Sequence, residues 1–283
     1  MTSSPTPPNP SAGAVFGVCL AAALAATGCT RFASELDAPP ETAGLMTLGR
    51  EPSDWSCVSD EAGNPVMNPN GPPLDFSIDT RDYITGTVPP NLRVRACFRP
   101  DVFCMRPAAD WRGPDEAGTV TLPLNQGFSG YLEIEGDDAV PTLYVLPAPL
   151  TPELVETLGG QTISLLPPAA LLAFGATAML ELASDAGVIS INTYDCLGPS
   201  APGVRLELNA AAVPFSFVDG LPIAFQDTTT EDGAAGFANV APGLLVVRGY
   251  RADTSELIGL ETVLVRTGWV TVSALMPQFA GIP

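Results

Sequence analysis

Apolar and polar residues alternate at Leu74, Phe76 and Ile78, the two-residue period of a half-buried strand. The same period returns at Leu92, Val94 and Ala96, at Thr119–Leu124 and at Gly130–Ile134, and a short apolar run follows at Thr142–Leu146. Ser164–Leu182 breaks this pattern. There Leu171, Gly175, Ala178, Met179 and Leu182 recur at three- and four-residue spacing, which predicts a helix capped by Ser164 with Pro167-Pro168 near its start. The prolines, Gly175 and Glu181 favour a helix packed at a domain junction over a membrane span, which needs about 20 apolar residues. Strands resume at Val188–Tyr194, Val204–Leu208, Phe215–Val218, Leu221–Phe225, Leu244–Tyr250, Leu257–Val265 and Trp269–Leu275, with Asp219-Gly220 as a two-residue hairpin turn. This rhythm predicts a mainly β protein. Two antiparallel Ig-like or transthyretin-like β-sandwich domains, 54–150 and 185–283, are joined by a segment, 151–184, with one short helix.

Composition supports short strands: 30 Pro and 27 Gly among 283 residues leave little room for long helices. The 12 basic residues are all Arg and face 31 acidic ones, a net charge of −19 that repels nucleic acid and anionic headgroups. Neither His nor Lys occurs. Ser-His-Asp and Cys-His mechanisms, Schiff-base chemistry and the P-loop are thereby excluded.

Ahead of the strands, Ala14–Ala26 is an apolar run of 13 residues, long enough for a signal-peptide core and too short to span a bilayer. It closes on Ala26-Thr27-Gly28-Cys29, small side chains ending in a thiol. This stretch resembles a bacterial lipoprotein export signal. The resemblance implies a leader at 1–28, an acylated Cys29 and a Pro-containing tether at 29–53. Cleavage after Ala23-Leu24-Ala25 would keep export without the lipid, and a buried apolar helix would keep neither. The expected location is an outer membrane or cell surface, facing the periplasm or the exterior.

Beyond the leader lie Cys57, Cys97, Cys104 and Cys196, an even number that reads as disulfides in an exported chain. Four cysteines allow three connectivities. A tight turn at Pro100-Asp101 would set Cys97 opposite Cys104, close enough to bond, and leave Cys57 for Cys196.

The second domain resembles the carboxypeptidase regulatory-like domain, a transthyretin-like sandwich. The matching residues are Asp195, Gly198 and Gly203 before Val204–Leu208, then Thr229, Gly233, Phe237, Val240 and Gly243. Ala235 stands where the family usually has an aromatic residue. The first domain is similar in outline, with Asp115 and Gly118 as the turn and Val120 and Leu122 facing inward.

Two carboxylate clusters remain, Glu133/Glu135/Asp137/Asp138 and Asp227/Glu231/Asp232. Paired carboxylates hydrolyse glycosides or hold Ca²⁺. Here Glu133 and Glu135 alternate with Leu132 and Ile134 as an outer strand face does, so both clusters are expected to be solvated. No metal, cofactor or catalytic residue is expected. The expected function is non-enzymatic: a lipoprotein presenting β domains for adhesion, carbohydrate binding or envelope assembly. It would hold the membrane through Cys29 and meet a glycan or an envelope protein. The alternative is an accessory module of a larger secreted enzyme or transport complex.

Overall fold

A computed structural model describes residues 53–58, 71–158, 162–198 and 200–277. Cys29, the leader, nearly all of the tether and most of the turn-rich stretch at 60–73 lie outside these residues. The elements in order are β1 (Pro73–Asp82), β2 (Arg93–Phe98), β3 (Ala109–Arg112), β4 (Thr119–Asn125), β5 (Gly130–Glu135), β6 (Thr142–Val145), α1 (Pro152–Leu158), β7 (Thr162–Leu165) and α2 (Pro168–Thr177). There follow β8 (Gly187–Thr193), β9 (Val204–Leu208), β10 (Val213–Val218), β11 (Leu221–Ala224), β12 (Ala234–Val240), β13 (Gly243–Arg251), β14 (Leu257–Val265) and β15 (Val270–Leu275). The protein is mainly β.

The strands form three sheets. One of nine strands runs β11-β10-β12-β8-β15-β6-β5-β2-β3, and two of three strands run β4-β1-β7 and β14-β13-β9. The nine-stranded sheet crosses from one half of the chain to the other where β15 pairs in parallel with β6, Val270 opposite Thr142. β8–β15 and β1–β7 are parallel as well, so the sheets are mixed rather than wholly antiparallel.

Register shows how one sheet serves two cores. Leu132 and Ile134 of β5 and Val94 and Ala96 of β2 share a face. They pack with Phe76, Ile78, Val120 and Leu122 of β1 and β4. In the second half Ile189, Ile191, Ala235 and Phe237 pack against Val204, Leu206, Val247 and Val263. Thr271 of β15 lies opposite both Ile189 of β8 and Leu143 of β6, and Leu143 lies opposite Glu133. Side chains opposed in register share a face. The second core therefore lies on the Glu133 face and the first core on the Leu132 face. The small sheets cover opposite sides of the large one.

Both halves repeat one close contact. A Cβ on Gly130 would lie 2.1 Å from the Cys97 carbonyl and 2.6 Å from the Phe128 ring, and one on Gly236 would lie 2.0 Å from the Ile189 carbonyl and 2.7 Å from the Phe215 ring. In each case an aromatic ring covers a strand glycine that no larger residue can replace.

The local structure corrects several expectations. Ser164 caps no helix, because it lies in β7, paired with Arg81 of β1. α2 starts at Pro168, whose missing N–H costs nothing in a first turn. Its buried residues are Ala170, Phe174 and Gly175, while Met179 is exposed past the helix end with φ of 54°. A second helix, α1, is present too, its Leu154 N–H received by the Thr151 hydroxyl at 3.1 Å. Among the described residues no helix is long and apolar enough to cross a membrane. Ala235 is fully buried in the second core, so the missing aromatic leaves no exposed gap.

Candidate functional site

Polar groups concentrate at the seam where β5, β2 and the loop after β2 meet the β14–β15 turn. Glu133 belongs to the charged face of β5 and is opposed by Arg95. It is not solvated as the alternation implied: its residue exposure is 0%. The reason is coverage from the other half of the chain, since Arg266, just beyond β14, reaches Glu133 Oε1 at 2.5 Å while Arg95 binds Oε2 at 2.5 Å. Arg266 also donates to the Val102 carbonyl at 2.9 Å and lies over the Trp269 ring at 5.0 Å. On the outer side, Arg93 and Arg95 lie over Trp111 of β3 at 4.4 and 4.6 Å. Arg93 donates to Glu135 at 3.0 Å through Nε.

A second pair mirrors the first with the halves exchanged. Arg99, from the loop after β2, donates to Glu261 of β14 at 2.7 Å and to the Leu146 carbonyl at 2.8 Å. Glu261 is opposite Val247 in the ladder, on the core side of its strand. Burial pushes its carboxyl up from 4.5 to about 7, and Arg99 only partly opposes this through its charge and its hydrogen bond. Tyr131, also at the seam, is pushed up to about 12 by burial and donates to the Asp101 carbonyl at 2.6 Å.

Both expected disulfides are present. Cys57 bonds Cys196, with Cα atoms 5.7 Å apart, and Cys97 bonds Cys104 at 5.3 Å. The route to the second differs from a two-residue hairpin. Cys97 is opposite Tyr131 in the ladder, and beyond Phe98 the chain makes two successive turns, closed by Asp101 N–H to Phe98 O and Cys104 N–H to Asp101 O, both 2.9 Å. The Asp101 carboxylate receives the Arg106 N–H at 2.8 Å, which holds its carboxyl below the ordinary range.

The carboxylate clusters do not converge on a site. Asp137 accepts from Asn91 at 2.6 Å and Asp232 from the Gly220 N–H at 3.2 Å, while Asp227 accepts from the neighbouring Thr228 hydroxyl at 3.0 Å. One group of potential metal ligands, Cys97, Cys104 and Glu133, has its ligand atoms within 4.8 Å of one another. It does not fit a metal: both sulfurs are in a disulfide, and both carboxylate oxygens hold arginines.

The turn residues singled out in the sequence do their expected backbone work. The Asp195 carboxylate receives the N–H groups of Leu197 and Gly198, and also that of Asp54 at 3.1 Å. Thr229 receives the Val204 N–H and donates to the Ala201 carbonyl. Asp115 receives Ala117 and Thr119, both at 2.9 Å.

No family model matches the chain, and no curated protein matches its sequence. Among solved structures it is similar to the Bacillus anthracis TIE protein at 11% identity and a TM-score of 0.23, covering 73% of this chain and 34% of that one. A streptococcal ancillary pilin gives 10% identity and 0.23, covering 72% and 68%. The shaft pilin SpaA from Lactobacillus rhamnosus GG gives 8% and 0.23, covering 75% and 99%. The chain thus spans about a third of the TIE chain. Likeness at this level does not extend to a common overall arrangement.

Proposed function

We propose that this chain is a non-enzymatic, exported structural module, held to a membrane through an acylated Cys29 and displaying its β body for adhesion, carbohydrate binding or envelope assembly. One observation carries the reading. The most concentrated polar assembly among the described residues, Glu133 with Arg95 and Arg266, has both carboxylate oxygens on arginines, Arg95 from the neighbouring strand and Arg266 from the other half of the chain. A carboxylate so held is fully buried and cannot reach a substrate, and its arginines are likewise engaged. With the shared sheet and the Cys57–Cys196 disulfide, the seam makes the halves one body suited to bearing load or presenting a surface.

The test has two parts. In the native host Cys29→Ser is expected to move the protein from the membrane fraction to the soluble one with its thermal melt unchanged. Retention in membranes without detergent overturns the anchor. The released body is expected to bind on a glycan array or to purified envelope material without cleaving either. Hydrolysis of any glycan on the array overturns the non-enzymatic reading.

A further inference from the structure

The helix α2 is apolar on every side. Its inward residue Phe174 packs edge-on against Phe215 of β10, with ring centroids 4.8 Å apart, and Ala170 and Gly175 are buried beside it. Its outward side is equally uncharged: Pro168, Ala169, Leu172, Ala176 and Thr177 are all exposed, with Met179 just beyond the end. Leu172 is 70% and Met179 90% exposed. From Leu165 to Leu180 there is no Asp, Glu or Arg, in a chain of net charge −19. A surface helix in water ordinarily carries polar residues on its outer side, and one that is apolar all round belongs in an apolar setting.

We infer that the outer side of α2 rests on the neutral zone of a lipid bilayer, as a second, non-covalent contact beside the acyl anchor. The inference rests on the lipid-anchored reading above. Thr30–Pro52 supplies 23 residues between Cys29 and the described body. That length extends to about 80 Å, against a radius of gyration of about 17 Å for a folded body of this size. The tether therefore allows any face to turn down, and surface chemistry selects which one does. It enters at the half that carries α2, since Trp55 and Val58 pack on the second core and Cys57 is bonded to Cys196. Acidic surface is repelled by anionic headgroups, whereas α2 offers apolar area with no charge to desolvate. Tethering raises the local concentration into the millimolar range, so a contact too weak to hold a free protein suffices. The helix is too short to span and lies in the interface.

In the mature chain Cys29 is the one cysteine outside a disulfide, so it can be coupled to a maleimide lipid in phosphatidylcholine vesicles. Amide exchange over Pro168–Leu180 is then compared between coupled and free chain by mass spectrometry. Coupling is expected to slow exchange at least threefold there, and Leu172→Glu with Met179→Asn to restore the free rate. Asn tolerates the left-handed backbone at 179, and Leu172→Glu alone serves should the pair melt early. Unchanged exchange on fully coupled vesicles overturns the inference. So does slowing in the free chain that rises with protein concentration, which assigns the face to a second copy. Because the coupling is synthetic, this result is independent of whether the native host acylates Cys29.

Discussion

Glu133 and Glu261 are placed in reciprocal positions and solved differently. Each lies buried on a strand and each is bonded to an arginine from the other half of the chain. Glu133 meets two guanidinium groups, one for each oxygen. Glu261 meets one, through a single oxygen, and its carboxyl is pushed up to about 7. The difference teaches what burying a carboxylate requires. At Glu261, attraction to one partner does not offset loss of water, whereas Glu133 has a charged partner on each oxygen. The Glu133 site acts as a lock between the halves through Arg266, and the Glu261 carboxyl is raised to about 7.

The largest effect is expected from breaking the lock. Glu133→Gln keeps the shape and removes the charge, leaving Arg95 and Arg266, both partly buried, without their counter-ion. Loss of one partner of a buried pair costs at most about 3–5 kcal/mol where, as here, the arginines keep some contact with water, measured as a shift in the denaturant midpoint at constant slope. Ile134→Val, one residue along on the apolar side of the same strand, is expected to cost about 0.5–1.5 kcal/mol. Equal costs for the two would mean that Glu133 is held by packing rather than by charge.

Glu261 gives the next effect, and its sign follows from burial. The folded protein holds this proton more tightly than the unfolded chain does. The stabilisation is therefore complete below the ordinary value of 4.5 and is lost as pH rises through about 7. The full shift corresponds to about 3 kcal/mol. Unfolding free energies from pH 4.5 to 8 should fall more steeply for the parent than for Glu261→Gln. Parallel curves would show that the carboxyl titrates as an ordinary exposed one.

The two sites also mark how far the sequence could be read. Alternation identified β1, β2, β4 and β5 correctly, and Asp219-Gly220 turns with positive φ at both residues, as its composition requires. Alternation also placed Glu133 and Glu135 opposite Leu132 and Ile134. It carried no sign that the far half of the chain covers Glu133 alone, because that depends on β15 pairing with β6 across more than a hundred residues. Long-range register leaves no local trace. Four-residue β3 and β7 are too short to show a period, and β12, with a glycine and alanines on both faces, hardly varies in polarity. The start of α1 was legible in Thr151-Pro152, a cap followed by a first-turn proline.

The smallest of the three effects concerns the loop that serves both glutamates. Between Cys97 and Cys104 the chain carries Arg99, the partner of Glu261, and the Val102 carbonyl, which holds Arg266 beside Glu133. The disulfide closes this loop over a separation of 7 residues. Removing it as Cys97→Ala/Cys104→Ala is expected to cost about 2–3 kcal/mol on the chain-entropy estimate. The cost alone would not show that the loop couples the two sites, so the informative measurement is a double-mutant cycle. Arg99→Ala and Arg266→Ala are each made with and without the disulfide. If the closed loop holds both arginine contacts in place, each substitution costs less once the loop is open, because part of its contact is already lost. If each costs the same in both backgrounds, the contacts are set by the strands themselves and the disulfide only shortens the unfolded chain. The Cys57–Cys196 bond, which encloses neither arginine contact within a short loop, is the control: its removal should change stability without lowering the cost of either substitution.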